Sequence, residues 1–201
     1  MLDPLANEPK TITLVDGTPV SLRYFSPSDA EDLLKFYRGL PDEDRMFLKD
    51  DVTNRDIFHI FTEKIHSGRS VAILAFHDKK IVGEATLHLN LFGWTRHVGE
   101  LRAVILREYS GKGLTRALIR EQVGVAITKN LDKIVFRILE NQKDSRKALE
   151  EVGFEAEAVL RRQAMDLQGN MHNVVIMSNY VSELWRQFED MITDSEFEVI
   201  P

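Results

Sequence analysis

Between residues 71 and 106 the chain writes three strand-type runs in close succession. "VAILAFHD" and "KIVGEATLHLN" are joined by a tight "HDKK" turn, and "RHVGELRAVIL" follows after a short loop. Such runs, rich in Val, Ile and Leu, are of strand type. The third run passes through a glycine loop, "SGKG" at 110–113, into a helical pattern from about 113 to 128. A strand hairpin followed by strand, glycine loop and helix constrains the fold to an α/β domain with a mixed sheet.

The rest of the chain fits that frame. "TITLVDGTPVSLRYF" alternates on both sides of Asp16-Gly17, a hairpin signal that predicts two short strands. In "SPSDAEDLLKFYRGL", Ser26 is placed as N-cap, Pro27 at the first helical position and Asp29 as the partner of a capping box. Ala30, Leu33, Leu34 and Tyr37 fall at helical spacing, and Gly39 is placed to end that helix. A second helical stretch, about 54 to 66, sets Ile57, Ile60, Phe61 and Ile65 on one face. Past the glycine loop come "KIVFRIL" as a strand, "KDSRKALEEVG" as a helix ended by Gly153, and "EAEAVLRRQAMD" and "HNVVIMSNY" as strands around a "QGN" turn. The expected organisation is a tail over 1–10, one domain over 11–179, and a short terminal helix with a tail over 180–201.

With 201 residues, 43% hydrophobic and 29% charged, the chain suits one soluble domain with a sizeable core. A net charge of -6 argues against a broad nucleic-acid footprint. The absence of cysteine removes disulfides, thiolate metal sites and cysteine nucleophiles together. The six histidines show no metal-ligand spacing, so surface or turn positions are expected for them. The first ten residues lack the pattern of a signal peptide, and no apolar run approaches a bilayer span, which points to a cytoplasmic protein without a membrane partner.

A helix start presents four unpaired N–H groups and the positive end of the helix dipole. Glycines let a ligand approach such a backbone closely, so "SGKG" reads either as a plain turn or as a phosphate cradle. Lys112 and Arg116 add positive charge there. The full dinucleotide pattern G-x-G-x-x-G and the P-loop pattern G-x-x-x-x-G-K-S/T are both missing.

The order of elements, ending in the helix that closes on "EEVGF", resembles the GNAT superfamily of N-acyltransferases. The resemblance spans roughly residues 18 to 178. The family's loop pattern, Gln/Arg-x-x-Gly-x-Gly/Ala, is similar to Ser110-Gly111-Lys112-Gly113-Leu114-Thr115, with departures at Ser110 and Thr115. The Asn that precedes "GF" in the family is similar to Asn141 before Gly153-Phe154. The opening "DGTPVSLRYFSPSDAEDLLKFYRGLPDEDR" looks like the acyltransferase domain of bacterial protein-lysine acetyltransferases.

This resemblance implies a mixed central sheet of six to seven strands flanked by about four helices. It implies acetyl-CoA as the acyl donor, with no metal, and transfer to a primary amine by direct attack in a ternary complex. The amides of Gly111, Lys112, Gly113, Leu114, Thr115 and Arg116 would hold the pyrophosphate. The backbone of Ala103, Val104 and Ile105 would pair with the pantetheine arm. Asn141 would hold its far side, unless it simply caps the end of its strand. The amine acceptor, a small molecule or a protein amine, would meet variable loops near 40–54, 90–97 and 162–173, and a homodimer stays open. Trp94 either lines that acceptor pocket or packs within its loop.

A lysine-type amine lies about 4.6 kcal/mol from its neutral form at pH 7, so the reaction needs a proton acceptor. Glu100 stands where family members often carry that carboxylate; the alternative is a solvated strand-end charge. Glu140 and Glu84 come next, strand glutamates being expected to face solvent. The tyrosine that often protonates the thiolate is replaced by Leu149, and Tyr109 reads as structural. A second reading of the departures at Ser110, Thr115 and Leu149 is a non-catalytic acyl-CoA sensor of the same fold.

Overall fold

Asp16 and Gly17 reverse the chain between β1 (Lys10–Thr13) and β2 (Pro19–Tyr24), and the Thr18 N–H bonds to the Asp16 carboxylate at 3.1 Å. The structure, a computed structural model, describes residues 8–45, 48, 51–166 and 168–197. Most of the expected N-terminal tail and the last four residues therefore lie outside the described residues, as do parts of the expected acceptor loops around 46–50 and 167.

A 3-10 turn at Pro27–Asp29 opens α1 (Ala30–Gly39). Asp29 reaches back to accept the Ser26 N–H at 2.8 Å, and Arg23 donates to the same carboxylate at 2.6 and 2.7 Å. The helix buries Leu33, Leu34, Phe36 and Tyr37. A single turn, α2 (Asp42–Arg45), precedes α3 (Arg55–His66), which Asn54 caps by accepting the Asp56 N–H at 2.9 Å. The buried face of α3 differs from expectation. Phe58 and Phe61 pack edge-on to the Tyr37 ring, whereas Ile60 is 52% exposed. The aromatic pair fills the space over the sheet and rotates Ile60 to the outside.

Then follow β3 (Ser70–His77), β4 (Lys80–Leu89), β5 (Val98–Ile105), α4 (Leu114–Thr128), β6 (Lys133–Leu139), α5 (Lys143–Glu151), β7 (Glu155–Met165), β8 (Met171–Tyr180) and α6 (Val181–Phe197). The eight strands form one sheet in the order β1-β2-β3-β4-β5-β6-β8-β7. The count exceeds the expected six to seven because the four-residue β1 joins the edge, which needs only the hairpin turn. The terminal helix is longer than expected, at 17 residues. Every neighbouring pair is antiparallel except β5 and β6, and α4 is the crossover their parallel pairing requires.

Both faces of the central strands are covered. α1 and α3 pack on one face around Leu33, Tyr37, Phe58 and Leu74. On the other face Leu114, Leu118 and Ile119 of α4 meet Ile73, Ala85, Leu87 and Leu101, all fully buried, and α6 adds Leu184 and Phe188. Each such aliphatic side chain contributes about 1.5–3 kcal/mol by leaving water. The central strands read as near-continuous apolar runs for this reason.

Candidate active site

The site begins where one ladder stops. β5 pairs with β6 over only three residues, Val98 to Glu100 against Lys133 to Val135. Beyond that point β5 stays with β4 as far as Ile105, while β6 stays with β8 as far as Leu139. Among the described residues no strand pairs with the β6-facing edge of Leu101–Ile105. The two parallel strands thus open a wedge toward their C-terminal ends. Ala103, Val104 and Ile105 line its β5 side with backbone N–H and C=O groups that have no ladder partner there. Gly99 holds the base of the wedge closed: a Cβ on it would lie 2.7 Å from Leu131 and 2.8 Å from Leu87.

Past Ile105, a 3-10 turn at Arg107–Tyr109 carries the chain to the glycine loop. Gly113 is the N-cap of α4 with φ +90°, a left-handed conformation that glycine adopts freely. No side chain caps the helix, and its first turn contains no acidic residue. Gly111 and Gly113 are exposed, while the Leu114 side chain is buried in the core, so only its amide faces the loop. These features fit an anionic ligand at the helix start. Thr115 is half-buried and Arg116 exposed within the first turn. Lys112 is engaged: its Nζ lies 2.8 Å from Asp16 and over the Tyr109 ring at 5.6 Å, and its carbonyl accepts the Val15 N–H at 3.1 Å. The hydrogen bond from Lys112 holds the Asp16 carboxyl well below the usual carboxylate range. The hairpin tip is thereby stapled to the loop, and the charge of Lys112 is balanced inside the protein.

Asn141 lies just after β6, at the same open end of the wedge, and is exposed. Its carbonyl accepts the Lys143 N–H at 3.0 Å. The strand end is capped by its neighbour instead, since the Gln142 side chain accepts the Leu139 N–H at 2.7 Å. Glu100 is the last β5 residue in the ladder with β6; it stands opposite His88 of β4 and 3.3 Å from the Arg137 guanidinium of β6. The carboxylate therefore sits at the point where the strands part.

A family model for the acetyltransferase (GNAT) domain matches residues 20–155. The chain belongs to the GNAT acetyltransferase family. It is an N-acetyltransferase, and the donor in this family is acetyl-CoA. No curated protein matches its sequence. Among solved structures it is similar to the spermidine N-acetyltransferase of Vibrio cholerae in complex with CoA and spermine, at 20% identity and a TM-score of 0.69, over 82% of this chain and 97% of that one. It is also similar to RimJ of Mycobacterium smegmatis in complex with CoA-disulfide (16%, TM-score 0.68, over 94% and 97%) and to the GNAT domain of S. lividans PAT (15%, TM-score 0.65, over 86% and 96%). At these identities the likeness is one of fold.

Several side chains of this acetyltransferase lie where the sequence did not place them. Glu84 does not face solvent: it is 3% exposed, accepts the Tyr37 hydroxyl at 3.1 Å, and accepts the Thr86 hydroxyl as well. Burial pushes its carboxyl above the ordinary glutamate value. The signal was present in the unbroken apolar run of β3, which marks a strand covered on both faces. A glutamate in the adjoining strand then has no solvent to face. His77, His88 and His172 are half-buried rather than superficial, bonded to Tyr109, Ser70 and Asp166 at 2.8, 2.9 and 2.9 Å. Trp94 is 91% exposed, so it is not packed within its loop. Glu140 accepts from Asn173 at 2.8 Å, beyond the end of β6. Leu149 is a core residue, and the Tyr109 hydroxyl is bonded to His77. Among the described residues no group of three or more His, Asp or Glu could hold a metal, and no helix is long and apolar enough to cross a membrane.

Proposed function

We propose that this enzyme transfers the acetyl group to a primary amine by direct attack in a ternary complex. Donor binding uses the wedge: the backbone of Ala103, Val104 and Ile105 pairs with the pantetheine arm, and the amides of Gly111 to Arg116 receive the pyrophosphate. Asn141, exposed on the far lip, closes on the arm from the β6 side. Bound there, acetyl-CoA supplies a thioester-activated acetyl group. Glu100 accepts the proton of the acceptor ammonium through water, and Arg137 keeps that carboxylate turned toward the wedge. No side chain at position 149 can return a proton to sulfur, so the thiolate departs unprotonated, which its acidity near neutral pH permits.

The observation that carries this reading is the end of the β5–β6 ladder at Glu100. It puts a carboxylate, a free backbone edge and an uncapped helix start in sequence along one strand and its loop. The test is release of free thiol from acetyl-CoA across a panel of primary amines. Turnover above the hydrolytic background with at least one class of amine supports the reading. Tight CoA binding with no amine-dependent thiol release from any class would reject it.

A further inference from the structure

On the sheet face beneath α1 and α3 lies a polar cluster that donor binding does not use. Tyr37, Glu84 and Thr86 are buried together, at 0%, 3% and 0% exposure. Arg102 of β5 stands directly opposite Thr86 and is half-buried. Strand alternation puts its side chain on the same face as Glu100, two residues earlier. Its Nε and Nη1 are sealed from solvent and have no hydrogen-bond partner. The buried Glu84 carboxyl attracts Arg102 electrostatically but makes no hydrogen bond to it, and takes its hydrogen bonds from Tyr37 and Thr86 instead, one on each oxygen.

Guanidinium donors left unpaired in an interior are costly, and a purely structural arginine would be expected to bond its neighbouring acid. The position of Arg102 supplies a reason. It is the first residue on that face beyond the last β5–β6 pair, at the apex of the wedge. A planar fork of N–H donors matches a carboxylate better than any other common group. We propose that Arg102 receives a carboxylate carried by the acceptor, so that the acceptor is a short amino acid and not a polyamine.

The proposal rests on the assignment of Glu100 as proton acceptor. Residues two apart on a strand are separated by about 6.6 Å along it, so the amine and carboxylate of the acceptor are spaced by one to three carbons.

The test uses the full chain saturated with CoA and follows the Nε–Hε resonance of Arg102 by NMR, assigned by its loss in Arg102→Lys. β-Alanine is expected to shift the signal saturably at millimolar concentration, and propylamine, its match without the carboxylate, is not. With acetyl-CoA, β-alanine should be turned over faster than propylamine, and Arg102→Met should remove that preference by lowering kcat/KM about 10- to 100-fold for the carboxylated member alone. Equal shifts from the two amines would overturn the proposal. So would a signal unmoved by glycine, β-alanine and 4-aminobutyrate, which would assign the arginine donors to a fixed internal water. A rise in Tm with CoA in the same sample keeps these failures separate from a failure of the donor site.

Discussion

Replacing Gly113 by alanine tests the donor cradle with little other disturbance. At φ +90° an L-residue costs about 1–2 kcal/mol relative to glycine. Space is not the obstacle, since the nearest atom to a Cβ there is Val15 Cγ2 at 3.8 Å. The loop is exposed, so in the free protein the least costly response is to rotate the 112–113 peptide into an allowed conformation. If the amides of 113–115 receive the pyrophosphate as proposed, that rotation turns them away from it, and CoA binding must restore them against the strain. The whole 1–2 kcal/mol then appears as lost affinity, a factor of about 5–30 in Kd. Titration calorimetry with CoA reads the affinity, and scanning calorimetry of the free protein reads the fold. The expected pair is a Kd weakened 5- to 30-fold with a Tm that falls by no more than a few degrees. A Kd within twofold of the parent would show that the amides of this loop are not the cradle, and the donor assignment would have to be abandoned.

Glu100→Gln should lower turnover by about 10²- to 10⁴-fold near pH 7 with CoA affinity unchanged, and the deficit should shrink as pH rises and the amine arrives deprotonated; a deficit constant from pH 7 to 9.5 would mean that the residue only places the acceptor. Asp16→Asn frees Lys112 and removes a carboxylate from beside the loop, so CoA should bind more tightly and with a steeper loss on adding salt, read by calorimetry at two ionic strengths. For Glu84, burial raises the folded pKa above the unfolded one, so the folded state binds the proton more tightly and wild-type stability falls as pH rises from the ordinary glutamate value through the folded value. The Tm of Glu84→Gln minus that of wild type should therefore grow as pH rises above the ordinary glutamate value, and a flat difference would show that burial does not raise this carboxyl.

Local signals were legible in proportion to how little they depended on distant partners. The Asp16-Gly17 turn, the Ser26–Asp29 cap and the strand–loop–helix at 98–128 are specified by neighbours in sequence, and the structure has each of them. Spacing alone does not fix the buried face of α3, because Ile57, Ile60, Phe61 and Ile65 satisfy helical spacing as well as Phe58 and Phe61 do. Only the Tyr37 ring from another helix decides between them. The burial of Glu84 depends in the same way on Tyr37, 47 residues earlier in the chain. Nor could spacing reveal that Lys112 would be neutralised by Asp16 across the hairpin, or that Gln142 rather than Asn141 would cap β6. Motif matching gives a residue's place along the chain, and charge pairing across the fold then alters what that residue has left to offer.

The end of the β5–β6 ladder also explains why donor and proton acceptor need not be aligned by separate devices. Strand side chains alternate, so Leu101 enters the core under α4 while Glu100 and Arg102 face α1. Between them the backbone edge freed by the parting of β6 begins. In the proposed reaction the carboxylate, the acceptor-reading guanidinium and the pantetheine-pairing edge are therefore consecutive features of one rigid strand. Gly99 clamps that strand against Leu87 and Leu131. A one-residue insertion between Val98 and Glu100 would turn the carboxylate toward α4 and Leu101 toward α1. It would bury a charge in an apolar layer and lift a core leucine toward a polar cluster, so fold and chemistry would be lost together. Register in β5 is thus held by the same packing that keeps Leu101 fully buried, and the geometry of the proposed reaction follows from it.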